Sequence, residues 1–187
     1  TTAEALARAQ AGIQNSLERL VKREKMSEED ASAALARIVT TTNYGDVSAA
    51  DIVVEAVYES PEAKRQVWQK LAQVAREGAL LATNTSSLSV TQIAAYSGRE
   101  ERLVGMHFFN PVAMMALVEV VRGLRTSQAA LDEAKEFVES LGKSPIVCED
   151  KPGFIVNRLL VPYINDAMHA LAEGVASAED IDRAMKL

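Results

Sequence analysis

The sequence predicts an α/β fold: part of a doubly wound sheet, followed by the start of an all-helical domain. Three observations carry this. Short apolar, β-branched runs alternate with helical periodicities over the first 150 residues, the pattern of a mainly parallel sheet with crossover helices. After Lys151-Pro152-Gly153 only helical patterns remain. The nine glycines stand at 12, 45, 78, 98, 105, 123, 142, 153 and 174, so no strand–helix turn carries G-x-G-x-x-G. A dinucleotide-binding (Rossmann-like) sheet carries that loop in its first β-α-β unit. Either the chain binds no dinucleotide or that unit has been cut away; an opening in the middle of helical periodicity, with no initiator Met, favours the second, so the expectation is a partial sheet lacking that unit. Residues 1–150 form the sheet domain, with a helical hairpin at 1–38, and residues 151–187 begin the helical domain.

Residues 2–24 read as a helix because Ile13, Leu17, Leu20 and Val21 share one stripe. Ser27 to Asp30 is a capping-box start for a second helix to about Arg37, with Ala31, Ala34, Leu35 and Ile38 on its apolar face. Residues 39–42 are a short β-branched run, and 51–57, "DIVVEAV", a buried-strand pattern. Ser60-Pro61 opens a helix, since proline suits the first helical position. Val67, Trp68, Leu71 and Val74 form its buried stripe, and Gly78 is expected to end it. Residues 79–84, 102–109, 117–121 and 145–148 read as further strands, and residues 90–96 and 127–141 as helices, the latter closed by Gly142. Residues 154–173 form a long apolar-rich helix in which Pro162 predicts a kink or break. Ser177 to Asp180 caps a last helix still running at Leu187. One long and one short helix do not enclose a core, so this domain looks unfinished.

Composition narrows the function. At 48% apolar and 25% charged residues the chain is globular in type. A net charge of -6 with no basic block argues against nucleic acid as the main partner. No apolar run approaches a membrane span, and no secretory leader opens the chain. A single cysteine, Cys148, builds neither an internal disulfide nor a zinc site, so no metal and a cytoplasmic location are expected.

Four features carry candidate chemistry. His107 ends a strand in "GMHFFNPV", and Glu119 sits in the next strand, "LVEVV", beyond a turn at Asn110-Pro111. Adjacent strands bring such a pair together, and an imidazole held by a carboxylate suits a general base. The plainer reading is a half-buried structural histidine and a surface glutamate. "TNTSSLS" (83–89) is a polar loop after an apolar strand, where open α/β sheets bind ligands. Ser87 or Ser89 in it also reads as a helix cap, which leaves Asn84, Thr85 and Ser86 to explain. Glu59 and Lys64 lie at the same sheet edge, either touching a cofactor or solvated on a first helical turn. Asn157 lies in an apolar helix and needs a partner, either backbone or a substrate carbonyl. His169 reads as structural and Cys148 as a core thiol.

The stretches "NTSSLSVTQIA", "GMHFFNPV", "LVEVVRG", "KPGFIVNRLLVPYINDA" and "EDIDRAMKL" resemble, in collinear order, the L-3-hydroxyacyl-CoA dehydrogenase family, and the match is close to its short-chain 3-hydroxybutyryl-CoA members. The resemblance implies an NAD-dependent oxidoreductase of fatty acid metabolism acting on an acyl-CoA thioester, and a homodimer formed through the C-terminal helices. It implies that His107 is the base, that Glu119 orients it, that Ser86 bonds the reacting oxygen near the nicotinamide, and that Asn157 lies near the substrate. Glu59 and Lys64 match positions that contact NAD. Asn110 supports the site and, with Asn84 in the polar loop, is placed on the cofactor side. Ser16 and Arg23, seven residues apart on one helix face, match positions that contact CoA. Ala113 and Ala116 depart from the family's common Pro and Lys, which removes a charge and is expected to loosen the turn. Two other readings stand beside this one. The first is a non-catalytic fragment that binds CoA or dimerises. The second is another Rossmann-type hydroxyacid dehydrogenase, which would carry a lysine where Asn157 stands.

Overall fold

The structure is a computed structural model that describes residues 2–187. Five strands form one sheet in chain order: β1 (Ile52–Glu55), β2 (Leu80–Thr83), β3 (Leu103–Phe108), β4 (Leu117–Arg122) and β5 (Ser144–Glu149). The β1–β2, β2–β3 and β4–β5 pairs are parallel, with helices α3 (Pro61–Val74), α4 (Val90–Ser97) and α5 (Gln128–Ser140) in the crossovers. The β3–β4 pair is antiparallel. Only residues 109–116 join it, too few for a crossover helix, so the chain turns straight back.

Side-chain alternation then assigns the two faces of the sheet. Val104 and Met106 of β3, with Val118 and Val120 of β4, enter the buried core with Leu80, Ala82 and α5 residues Ala130, Leu131, Ala134 and Val138. Gly105 and His107 point the other way. A Cβ on Gly105 would lie 2.8 Å from Val90 Cγ2 of α4 and 2.7 Å from Val121 Cβ, so α4 reaches the sheet only because glycine stands there. Serines start the helices: Ser60, Ser89 and Ser127 each accept a hydrogen bond from the backbone N–H three residues on.

The chain divides into two compact units, Thr1–Ser48 and Ala49–Leu187. In the first, α1 (Ala3–Lys22) packs on α2 (Glu28–Ala36), with Leu17, Val21, Ala31 and Leu35 lining the groove between them. In the second, the sheet is followed by α6 (Val156–Ala172) and α7 (Ala178–Lys186).

Four expectations change. The β-branched run 39–42 is not a strand: no described strand lies beside it, and propensity alone makes no ladder. Helix α3 ends at Val74, before Gly78, because the Arg99 guanidinium donates to the carbonyls of Ala72, Ala75 and Arg76 and closes it there. Helix α6 runs unbroken through Pro162 and starts at Val156, since Gly153 (φ +78°) and Phe154 (φ +50°) are left-handed. The turn after Asn110-Pro111 is tied down despite Ala113 and Ala116: Lys143 Nζ donates to the carbonyls of Val112 (2.6 Å) and Met115 (2.7 Å).

Candidate active site

His107 and Glu119 are direct partners across the antiparallel β3–β4 pair, so the register alone sets their side chains on the same face. His107 Nδ1 lies 2.7 Å from Glu119 Oε2, and both residues are buried, at 5% and 0% exposure. A carboxylate only accepts, so Nδ1 carries the hydrogen of this contact, and in the neutral ring that leaves Nε2 as the acceptor. Nε2 has no partner among the described residues. The ring is flanked by Phe109 and Phe154, with centroids 4.4 Å and 5.6 Å away. The other oxygen of Glu119, Oε1, accepts from the backbone N–H groups of Ile155 (3.0 Å) and Val156 (2.9 Å) at the start of α6. A helix N-terminus favours a carboxylate there. The half-buried histidine and surface glutamate of the plainer reading are thus replaced by a buried pair.

The polar loop closes on the same place. Asn84 Oδ1 accepts from the N–H of Phe108, one residue past His107 (3.0 Å). Asn157 Nδ2, one residue past Val156, reaches the Ser86 carbonyl at 3.5 Å, so its partner is backbone. Ser86 is exposed, and its Oγ has no partner among the described residues. The bonds form a closed ring: His107 to Glu119, to the start of α6 and Asn157, to Ser86 and its loop, and through Asn84 back to Phe108.

Beneath the loop, Lys64 is fully buried and bonds Glu55 (2.8 Å) and Glu59 (3.4 Å), which corrects the picture of a solvated charge. Glu55 also accepts from Thr83 Oγ1 at the end of β2 (2.7 Å). Burial pushes the Glu59 carboxyl upward. Hydrogen bonds from Thr85 and Ser86, the Lys64 charge and a bond from Ser87 outweigh this and hold it below the ordinary carboxylate value.

Asp150, which the sequence did not single out, anchors the end of the sheet to α4. Its carboxylate accepts from Ser89 Oγ (2.7 Å) and from the N–H groups of Val90 (3.1 Å) and Thr91 (2.8 Å). Burial raises its pKa, but the bonds from Thr91, Ser89 and Val90 prevail and lower it. The folded value therefore lies below the unfolded one. The stabilisation is present above the unfolded value of about 3.9 and is lost as pH falls through the folded value. Asp150→Ala is expected to cost about 0.5–2 kcal/mol at neutral pH, as for a lost helix cap. Urea titrations over a pH series should show the gap between wild type and variant closing in acid. A gap that stays constant there would contradict the assignment.

The remaining candidates sit as follows. Asn110 is exposed, in a cis peptide with Pro111. Ser16 and Arg23 share a face of α1 in the first unit, where Ser16 Oγ donates to the Gly12 carbonyl (2.9 Å) and Arg23 is the C-cap. His169 is exposed on α6. Cys148 is half-buried on the edge strand rather than in the core. Burial and the nearby Glu119, Glu149 and Asp150 push its thiol up to about 12, which leaves it a poor nucleophile at neutral pH. Among the described residues no cluster of His, Cys, Asp or Glu is arranged to hold a metal, and no helix is long and apolar enough to cross a membrane.

Residues 1–151 match a family model described as "3-hydroxyacyl-CoA dehydrogenase, NAD binding domain", and residues 153–187 match "3-hydroxyacyl-CoA dehydrogenase, C-terminal domain". The chain is 44% identical over 186 residues to a 3-hydroxybutyryl-CoA dehydrogenase of Bradyrhizobium diazoefficiens, covering 100% of this chain and 64% of that protein. It is 44% identical over 192 residues to the mitochondrial hydroxyacyl-coenzyme A dehydrogenase of Rattus norvegicus, covering 100% of this chain and 61% of that protein. The crystal structure of an (S)-3-hydroxybutyryl-CoA dehydrogenase from Ralstonia eutropha superimposes with a TM-score of 0.97 at 45% identity, covering 100% of this chain and 66% of that one. The chain thus spans less than two thirds of the length of these relatives.

Proposed function

Because the chain belongs to the 3-hydroxyacyl-CoA dehydrogenase family, we propose that it carries the reaction centre of an NAD-dependent dehydrogenase interconverting short-chain 3-hydroxyacyl-CoA and 3-ketoacyl-CoA. The observation that supports this most is the closed ring of bonds around the His107–Glu119 pair. The proposed domains divide at residues 150–153. NAD, when bound, supplies the hydride acceptor. His107 Nε2 takes the proton of the substrate 3-hydroxyl, and Glu119 holds the ring in the required tautomer and pairs with the imidazolium that forms. The free Ser86 hydroxyl donates to the reacting oxygen. Asn157 is fixed beside it, next to the substrate. In the reverse direction His107 returns the proton.

The residues present fit one end of the cofactor. The Ser86 hydroxyl, the exposed Asn110 and the Asn84 amide nitrogen are neutral polar groups at the carboxyl end of the sheet, suited to a nicotinamide carboxamide. A diphosphate needs backbone N–H groups at a glycine-rich helix start, which the nine glycines of this chain do not form. On the same reading Ser16 and Arg23 hold part of the CoA moiety, and the protein works in the cytoplasm.

Helix α6 supports a dimer. Leu159, Val161 and Met168 are 70%, 62% and 59% exposed, more apolar surface than a lone helix keeps in water. We assign its cover to the rest of the helical domain and a second subunit. The test uses the full-length protein: spectroscopic detection of reduced cofactor with 3-hydroxybutyryl-CoA and NAD, and light scattering on the same preparation. Thioester-dependent NADH formation by a dimer is expected. No turnover of any 3-hydroxyacyl thioester would overturn the activity, and a dilution-stable monomer would overturn the dimer.

A further inference from the structure

We propose that Asp150 is a positioning residue for the reaction centre: its carboxylate clasps together the two chain segments that carry Ser86 and Asn157. It acts through those segments and not by touching the reacting atoms. This rests on the dehydrogenase reading given above.

Asp150 directly follows β5, and its own N–H donates to the Arg122 carbonyl at the end of β4 (3.0 Å), so its backbone is fixed to the sheet. Two arms leave it. One runs along the chain through residues 151–156 to Asn157. This arm is a tight turn, closed by the Phe154 N–H on the Lys151 carbonyl (2.9 Å). It sets the Phe154 ring beside His107 and the N–H groups of Ile155 and Val156 on Glu119. The other arm runs through the carboxylate. Oδ2 accepts from Ser89 Oγ (2.7 Å) and the Thr91 N–H (2.8 Å), and Oδ1 accepts from the Val90 N–H (3.1 Å), which fixes the first turn of α4. Ser86 stands three residues before Ser89. The arms meet again where Asn157 Nδ2 reaches the Ser86 carbonyl (3.5 Å).

The result is a closed circuit from Asp150 through the turn to Asn157, across to Ser86, and back through Ser89. The Ser86 hydroxyl lies on one arm, and the ring flanking His107 lies on the other. Each arm has one further hold: Glu119 on the first, and Glu59 on the second through the Ser86 N–H (2.8 Å). What Asp150 adds is the relation between the start of α4 and the start of α6. Helix α4 already has a cap of its own, since Ser89 Oγ accepts from the Gln92 N–H (3.2 Å). A residue serving α4 alone would duplicate that cap. Asp150 instead sits where the chain turns into the His107–Glu119 site.

The test compares Asp150→Ala, Asp150→Asn and Ser127→Ala in the full-length enzyme. Ser127 caps α5, its Oγ accepting from the Ala130 N–H (3.2 Å), so Ser127→Ala removes a cap of the same kind and touches neither arm. Opening the circuit lets Ser86 and Asn157 drift apart, and misplacement of about 1 Å costs up to about a hundredfold in rate. Asp150→Ala is therefore expected to lower kcat about tenfold to a hundredfold, with KM for NAD and for the thioester changed less than about threefold. The amide protons of Ile155 and Val156, which Asp150 does not bond, should exchange faster with solvent. Asp150→Asn keeps one acceptor oxygen and should fall between wild type and the alanine variant, which covers the case in which the latter does not fold. Ser127→Ala should keep wild-type kcat and wild-type exchange at Ile155 and Val156. The proposal fails if kcat of the folded Asp150 variants stays at the wild-type level, whatever KM does. It also fails if Ser127→Ala lowers kcat as much, or if kcat drops in Asp150→Ala while exchange at Ile155 and Val156 is unchanged. An inactive wild-type enzyme would instead overturn the dehydrogenase reading itself, and the exchange measurement would still decide whether Asp150 joins the two arms.

Discussion

Replacing His107 with glutamine is expected to lower kcat of the full-length enzyme by about 10²–10⁴, the usual contribution of a positioned general base. Glutamine is close to histidine in reach, and its amide still donates to Glu119 Oε2, so the buried carboxylate keeps a partner. The contact with Ile155 and Val156 is untouched, because it uses the other carboxylate oxygen. The loss should therefore appear in turnover, with KM for the thioester little changed. That is the signature of an interaction made in the transition state rather than on binding. Steady-state kinetics beside a thermal melt decide it: turnover within threefold of wild type, in a folded variant, would remove His107 from the chemistry.

The pairing at the centre of this prediction was legible in the sequence because a short turn between two apolar runs leaves little choice. Residues 109–116 are too few for a crossover, so β3 and β4 pair antiparallel, and the register sets residue 107 against 119. Capping serines were legible for a similar reason, since Ser27 and Ser177 act on N–H groups three residues away. What the sequence concealed depends on distant partners. Arg99 closes α3 from more than twenty residues away, and Asp150 caps α4 across some sixty residues. Nothing in local periodicity marks either one. Lys64 looked like a solvated charge on a first helical turn. Its burial follows from Glu55 and Glu59, of which Glu55 turns inward from β1. A charged "E…E…K" at nine-residue reach, spanning a strand end and a helix start, is the signal that was available. The left-handed pair Gly153-Phe154 is partly readable from the glycine, whose φ of +78° brings a would-be Cβ within 2.7 Å of the Arg158 nitrogen. The φ of +50° at Phe154 is not readable: the ring is buried against His107, and the two following N–H groups are bound by Glu119.

Glu119→Gln is expected to be as damaging to turnover as the loss of His107, about 10²–10⁴ in kcat, while leaving the fold close to wild type. The two oxygens of Glu119 do different work. Oε1 receives the start of α6, and a glutamine oxygen receives it equally well. Oε2 faces His107 Nδ1 at 2.7 Å, and in glutamine that position becomes an amide nitrogen, which donates. Nδ1 must then accept, so the imidazole proton moves to Nε2, the atom that has to take the substrate proton. The base is blocked by its own tautomer, and the imidazolium loses its counter-charge. Glu119→Ala removes both functions. It leaves the N–H groups of Ile155 and Val156 without their acceptor, at about 1–3 kcal/mol each, and releases the helix that carries Asn157. The pair of variants separates chemistry from docking. Turnover should be lost in both, but only the alanine variant should lose stability in urea denaturation and show faster amide exchange at Ile155 and Val156. Wild-type turnover in Glu119→Gln would show that the carboxylate serves only to hold α6, and equal destabilisation of the two variants would show that its oxygens do not divide the roles in this way.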